Sequence, residues 1–141
     1  MLSIENNTDF IPPLEDFEKI LNALHVENEV ELSIVKSEQI RLINKEYRGI
    51  DKSTDVLSFP VDPFPHAPLG TILINIDAIT QEAKERNHSI EAEACLLFLH
   101  GLLHLLGYDH EIDSGQMRTK EEEIVKKLSF PQSLIVRTQS E

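Results

Sequence analysis

The chain reads as an α+β fold, a small mixed sheet of four strands packed with helices. Three observations predict it. Val30–Val35 alternates apolar and polar residues, the period of a half-buried strand. Leu14–Leu24 repeats its apolar residues at helical spacing instead. Two long helical patterns follow the last strand-like run, which suits α+β rather than a repeating βαβ chain. At 141 residues the sequence fits one domain, able to bury about two-thirds of its unfolded surface.

Taken in order, Leu2–Asn6 alternates weakly and predicts a short strand. After Pro12 and Pro13, the residues Phe17, Ile20, Leu21 and Leu24 share one face of an amphipathic helix. Val30–Val35 is the second strand. Ser37 is the expected N-cap of a helix to Tyr47, with Ile40, Ile43 and Tyr47 turned inward. Asp55–Phe59 and Gly70–Asn75 are β-rich runs on either side of a proline-laden stretch, Pro60 to Pro68. Prolines at 60, 63, 65 and 68 predict a stiff loop able to border a cleft. Asp77 is placed to cap a helix to Arg86. Ser89 is placed to cap an apolar helix whose early Glu91 and Glu93 suit its positive end. Asp113 and Gln116 form a capping-box pattern before a last helix reaching Leu128.

Composition narrows the function. The formal charge is −12, from 13 basic and 25 acidic residues, which opposes a broad electrostatic grip on nucleic acid or an anionic membrane. A polyanionic substrate would require basic residues concentrated at one site. The single Cys95 permits no internal disulfide and fits a reducing compartment. It lies in an apolar helix, where a buried inert thiol is expected. Met1–Phe10 has neither the basic nor the apolar stretch of a signal peptide. The apolar run Ala94–Leu106 falls short of the roughly 20 residues that span a bilayer. These features predict a cytoplasmic enzyme with no membrane association.

The segment His100-Gly-Leu-Leu-His104-Leu-Leu-Gly107-Tyr-Asp-His110 carries the chemistry. Positions four apart on a helix share a face, so His100 and His104 project together. Gly107 can take a positive φ, end the helix and bring His110 back toward them. A lone histidine in an apolar helix is usually a hydrogen-bonded core residue. Three at ligand spacing point instead to a divalent transition metal, most often zinc, with a fourth position open. The spacing matches the extended zinc-protease motif, yet Gly101 stands where that motif has its general-base glutamate. Peptide hydrolysis by the usual route is therefore not expected.

A second block, Asn44 through Pro60, contains Tyr47-Arg48-Gly49 and Thr54-Asp55-Val56-Leu57-Ser58-Phe59-Pro60. With the histidine segment it closely resembles the YbeY family of bacterial endoribonucleases, over nearly the whole chain. The resemblance implies one metal-dependent hydrolase domain over residues 1–141, with a zincin-like sheet and the metal helix beneath it. It implies His100, His104 and His110 as ligands of one zinc per chain and Arg48 as the catalytic residue meeting RNA phosphate. The implied activity is single-strand RNA cleavage in ribosomal RNA maturation, at the small-subunit 3′ end, and in ribosome quality control. Implied partners are small-subunit proteins and an assembly GTPase. One departure is visible: the family commonly has Gly-Asp after the proline loop, whereas Gly70 here precedes Thr71.

Zinc held by three neutral imidazoles keeps its double charge, acidifies bound water and polarises a phosphoryl oxygen. An arginine opposite would stabilise the charge of an in-line displacement from a second side. Metal-bound hydroxide and the neighbouring ribose 2′-OH both stay open as nucleophiles. Arg41, Lys45 and Arg48 recur at helical spacing, and with Lys52 they form a local basic group for RNA binding. Asp109 has two readings, support of a ligand imidazole and a turn aspartate bonding its own backbone. Of the remaining histidines, only His66 in the proline loop is expected to reach a cleft. A Gly101→Glu variant is expected to hold zinc but repel RNA, at about 4 kcal/mol for like charges ~4 Å apart. The alternatives are a non-enzymatic ribosome-assembly factor with a structural zinc and a hydrolase of another bond, such as an amide.

Overall fold

A computed structural model describes residues 1–109 and 111–130. The chain order is β1 (Leu2–Asn6), α1 (Leu14–Ala23), β2 (Val30–Val35), α2 (Ser37–Arg48), β3 (Val56–Pro60), β4 (Gly70–Asn75), α3 (Ile76–Arg86), α4 (Ile90–Leu105) and α5 (Gln116–Lys127). The strands form one mixed sheet in the order β1-β2-β4-β3. β1 lies parallel to β2, with Leu2 opposite Val30, and β2 lies parallel to β4, with Val30 opposite Gly70. β3 is antiparallel to β4, with Val56 opposite Ile74 and Pro60 opposite Gly70. The α+β class and the four-stranded mixed sheet are as the alternation predicts.

Side-chain alternation sends the strands' apolar residues to two unequal cores. Val30, Leu32, Ile34, Ile72 and Ile74 face the larger one, with α1, α4 and α5. Leu57, Leu73 and Val35 face the smaller one, closed by Ile40 of α2. α4 runs through the larger core and is apolar on nearly every side, the pattern of a fully enclosed helix. Phe98 stacks on Phe17 of α1 with ring centroids 4.5 Å apart.

The helix ends depart from the sequence expectations in instructive ways. Ser89 caps α4 as anticipated, its Oγ accepting the Ala92 N–H at 3.0 Å. Ser37 does not cap α2. Lys36 occupies that position, and Ser37 uses its backbone N–H to meet the Asp77 carboxylate at 2.9 Å. Asp77 is thereby drawn away from its own helix, and Asn75 caps α3 by accepting the N–H groups of Asp77 and Ala78. Asp113 accepts from Met117 N–H at the start of α5, but Gln116 reaches Ser114 N–H rather than completing a capping box. Tyr47 is 68% exposed, not inward. It sits at the end of α2, edge-on to Phe59 of the edge strand β3, where the sheet no longer covers it. The buried residue of that turn is Asn44, whose Nδ2 donates to the Lys52 carbonyl at 2.9 Å and ties down the following loop.

Cys95 is buried at 1% exposure, and desolvation, with Asp16 and Glu91 nearby, pushes its thiol up to about 12. The native protein is expected to leave a chromogenic disulfide reagent unreacted at pH 8 and to react stoichiometrically once unfolded. Rapid reaction under native conditions would show that α4 opens readily at its N-terminal half.

Candidate active site

The end of α4 is built to present its histidines. Gly107 has φ +99°, and the turn around it closes with Tyr108 N–H to the Leu103 carbonyl and Gly107 N–H to the His104 carbonyl, both 3.0 Å. That pair of bonds is a Schellman stop, which satisfies the helix's last carbonyls and turns the chain back. The same turn brings the Tyr108 carbonyl within 3.0 Å of His104 Nδ1. A carbonyl can only accept, so Nδ1 carries the proton, and in the neutral imidazole Nε2 keeps the lone pair. His100 lies one turn earlier, its ring centroid 4.9 Å from that of His104 and the planes 77° apart. Its Nδ1 stands 3.7 Å from Oε2 of Glu121 on α5.

Both imidazoles line a cleft of about 580 Å³ between the end of α4, the edge strand β3 and the last residue of α2. Arg48 enters it from α2, Asp55 and Ser58 from β3 and the loop before it, and Asp109 and Glu111 from the turn after α4. Among the described lining residues, three carboxylates face one guanidinium. Such a cleft repels a phosphodiester unless further positive charge is supplied. A divalent cation would bring its formal charge to neutrality, and the donor set of neutral imidazoles suits one. His110 lies outside the described residues. Among the described residues no group of three His, Cys, Asp or Glu side chains is poised around one point.

The basic group separates into two parts. Arg41 is bound to Glu38 and Asp51, partners that hold its guanidinium strongly protonated. Lys45 lies 3.9 Å from the same Asp51. Neither residue lines the cleft, nor does Lys52. Only Arg48 of the four does, because it sits at the helix end nearest β3. Asp109 adopts the turn arrangement, Oδ1 accepting the Glu111 N–H at 3.0 Å. His66 lines a separate surface hollow with Glu27 and Glu29, so the proline loop does not deliver it to this cleft. Thr71 points toward β2, where its hydroxyl donates to Glu31 at 3.1 Å, so the departure at this position leaves the cleft untouched.

Gly101 answers to packing. A Cβ there would lie 2.9 Å from Cγ2 of the fully buried Ile72 and 3.1 Å from Ser58 Oγ. Its carbonyl accepts the Ser58 hydroxyl at 3.0 Å, joining α4 directly to β3. The expectation that Gly101→Glu acts through charge on the substrate is corrected: the side chain would first have to displace the sheet. Even Gly101→Ala is expected to cost about 1–3 kcal/mol, read as a fall in melting temperature. A melt equal to wild type would mean that α4 can shift off β3 without penalty.

A model of the family described as Endoribonuclease YbeY matches residues 5–129. The chain belongs to the endoribonuclease YbeY family. It is 53% identical over 139 residues to the Endoribonuclease YbeY of Wolinella succinogenes, covering 99% of each chain. It is 52% identical over 143 residues to that of Helicobacter pylori strain 26695, again covering 99% of each. Among solved structures it is similar to the solution structure of TM1509 from Thermotoga maritima, with TM-score 0.64 and 27% identity over 91% of this chain and 89% of that one. The two sequence blocks that resemble YbeY supply the two walls of the cleft. Glu121, buried against His100 though not itself lining the cleft, is the neighbour of the site that sequence reasoning missed. Its signal was present: Met117, Glu121, Ile124, Val125 and Leu128 share one helical stripe, and a carboxylate on an apolar stripe calls for a partner.

Proposed function

We propose that the protein is a zinc-dependent, single-strand-specific endoribonuclease that matures ribosomal RNA at the small-subunit 3′ end and serves ribosome quality control. His100, His104 and His110 would hold one zinc, and Arg48 would be the catalytic residue that binds the scissile phosphate. The observation that carries this reading is the cleft that places Arg48 with two imidazoles. Family membership supports it, since the curated relatives bear the name endoribonuclease. When bound, zinc supplies Lewis acidity toward water and a phosphoryl oxygen.

The chain's own residues do the rest. Arg48 offers a planar fork of N–H donors to the phosphate oxygens and stabilises the charge that builds on them. The Tyr108 carbonyl fixes the His104 tautomer, so its Nε2 is a donor to metal and not a proton source. Residues 1–141 would act as one domain in the cytoplasm, and no helix among the described residues is long and apolar enough to cross a membrane. Small-subunit proteins and an assembly GTPase are the proposed partners. Recruitment through basic ribosomal proteins agrees with the net charge of −12.

That same acidity favours a second reading, an assembly factor that binds through its surface and uses zinc structurally. Metal-quantified protein incubated with single-stranded and duplex RNA separates the two. The endoribonuclease reading expects zinc-dependent internal cuts in single-stranded RNA only. Binding without cutting would favour the assembly factor, and metal-dependent digestion of casein with RNA intact would remove both.

A further inference from the structure

We infer that Glu121 is a positioning residue for the metal site: its buried carboxylate holds the His100 imidazole so that Nε2 is presented to the ion. The inference rests on the zinc reading above and concerns how the site is built. Glu121 sits on α5, 3% exposed, with Oε2 3.7 Å from His100 Nδ1. Its Oε1 has no hydrogen-bond partner among the described residues. No lysine or arginine pairs with it among those residues either, and the His100 side chain beside it is itself 13% exposed.

A carboxylate withdrawn from water needs compensating positive charge, and the groups near it must supply that charge. A protonated Nδ1 on His100 gives only an N–H dipole. Once Nε2 binds a dication, the same imidazole carries the ion's charge toward Oε2. The two ligand histidines are then oriented by different devices. His104 is fixed within its own helix end by the Tyr108 carbonyl. His100 is fixed by a carboxylate from a separate helix, which couples the seating of α5 to metal retention. At 3.7 Å the contact is an ion-pair distance rather than a hydrogen bond. In the zinc-loaded protein that contact is expected to close to a hydrogen bond, with Nδ1–H donating to Oε2.

Zinc affinity, measured by competition with a chromophoric chelator, is compared for wild type, Glu121→Gln and Glu121→Leu, with a melting curve for each metal-free protein. Glu121→Leu is expected to bind zinc about 10–100-fold more weakly. Glu121→Gln is expected to lose less, because its amide oxygen still accepts from Nδ1–H but brings no charge. A purely structural role would move the melting curves and leave affinity alone. Nitrogen-15 correlation spectra of zinc-loaded wild type read the tautomer directly and do not depend on any variant folding. They are expected to show a protonated Nδ1 on His100. A folded Glu121→Leu protein with wild-type affinity, or a His100 protonated at Nε2, overturns the inference while the zinc reading stands. Wild type that takes no zinc overturns both.

Discussion

Replacing His104 with alanine is expected to leave the purified protein without zinc and to lower its melting temperature to that of chelator-treated wild type. Two imidazoles rarely retain the ion that three hold, and metal binding energy is folding energy where the ligands come from different segments. The proposed ligands would come from different segments, because His104 lies in the last turn of α4 while His110 follows the Schellman turn in sequence. The variant also deprives the Tyr108 carbonyl of its donor, at a further cost of about 1 kcal/mol. Elemental analysis and paired melts measure both effects. If wild type itself contains no transition metal and gains no stability from added zinc, the metal centre is removed from the account.

Arg48→Glu is expected to reduce cleavage of single-stranded RNA by about 100-fold or more, with zinc content and melting temperature near wild type. Stability should hold because Arg48 is an exposed residue at a helix end, and among the described residues no side chain pairs with it. Activity should fall because it is the one guanidinium among the described lining residues, set against three carboxylates. A glutamate there raises the imbalance and repels the phosphate. Arg48→Lys should recover activity only in part, since an ammonium restores charge but not the bidentate fork. The contrast with Arg41→Glu is informative: that variant should break the pairs with Glu38 and Asp51 and leave cleavage nearly unchanged. Full activity in the Arg48→Glu protein would take Arg48 out of the site.

Much of this molecule is decided locally and was legible in the sequence. The strands Leu2–Asn6, Val30–Val35 and Gly70–Asn75 are found at their predicted bounds, because alternation and β-branched residues express a two-residue period along the chain itself. The same holds for the face shared by His100 and His104 and for the stop at Gly107, since both depend on residues within a few positions of one another. What tertiary structure alone decided are the pairings between distant segments. Asp77 abandons its own helix for Ser37, and Arg41 is bound by Asp51 and does not line the cleft. Gly101 is small because Ser58 and Ile72 press against it, and Glu121 is buried beside His100. In each case the sequence offered a residue with a plausible local role. The fold then brought up a partner from a distant segment, and no periodicity along the chain encodes which partner that will be.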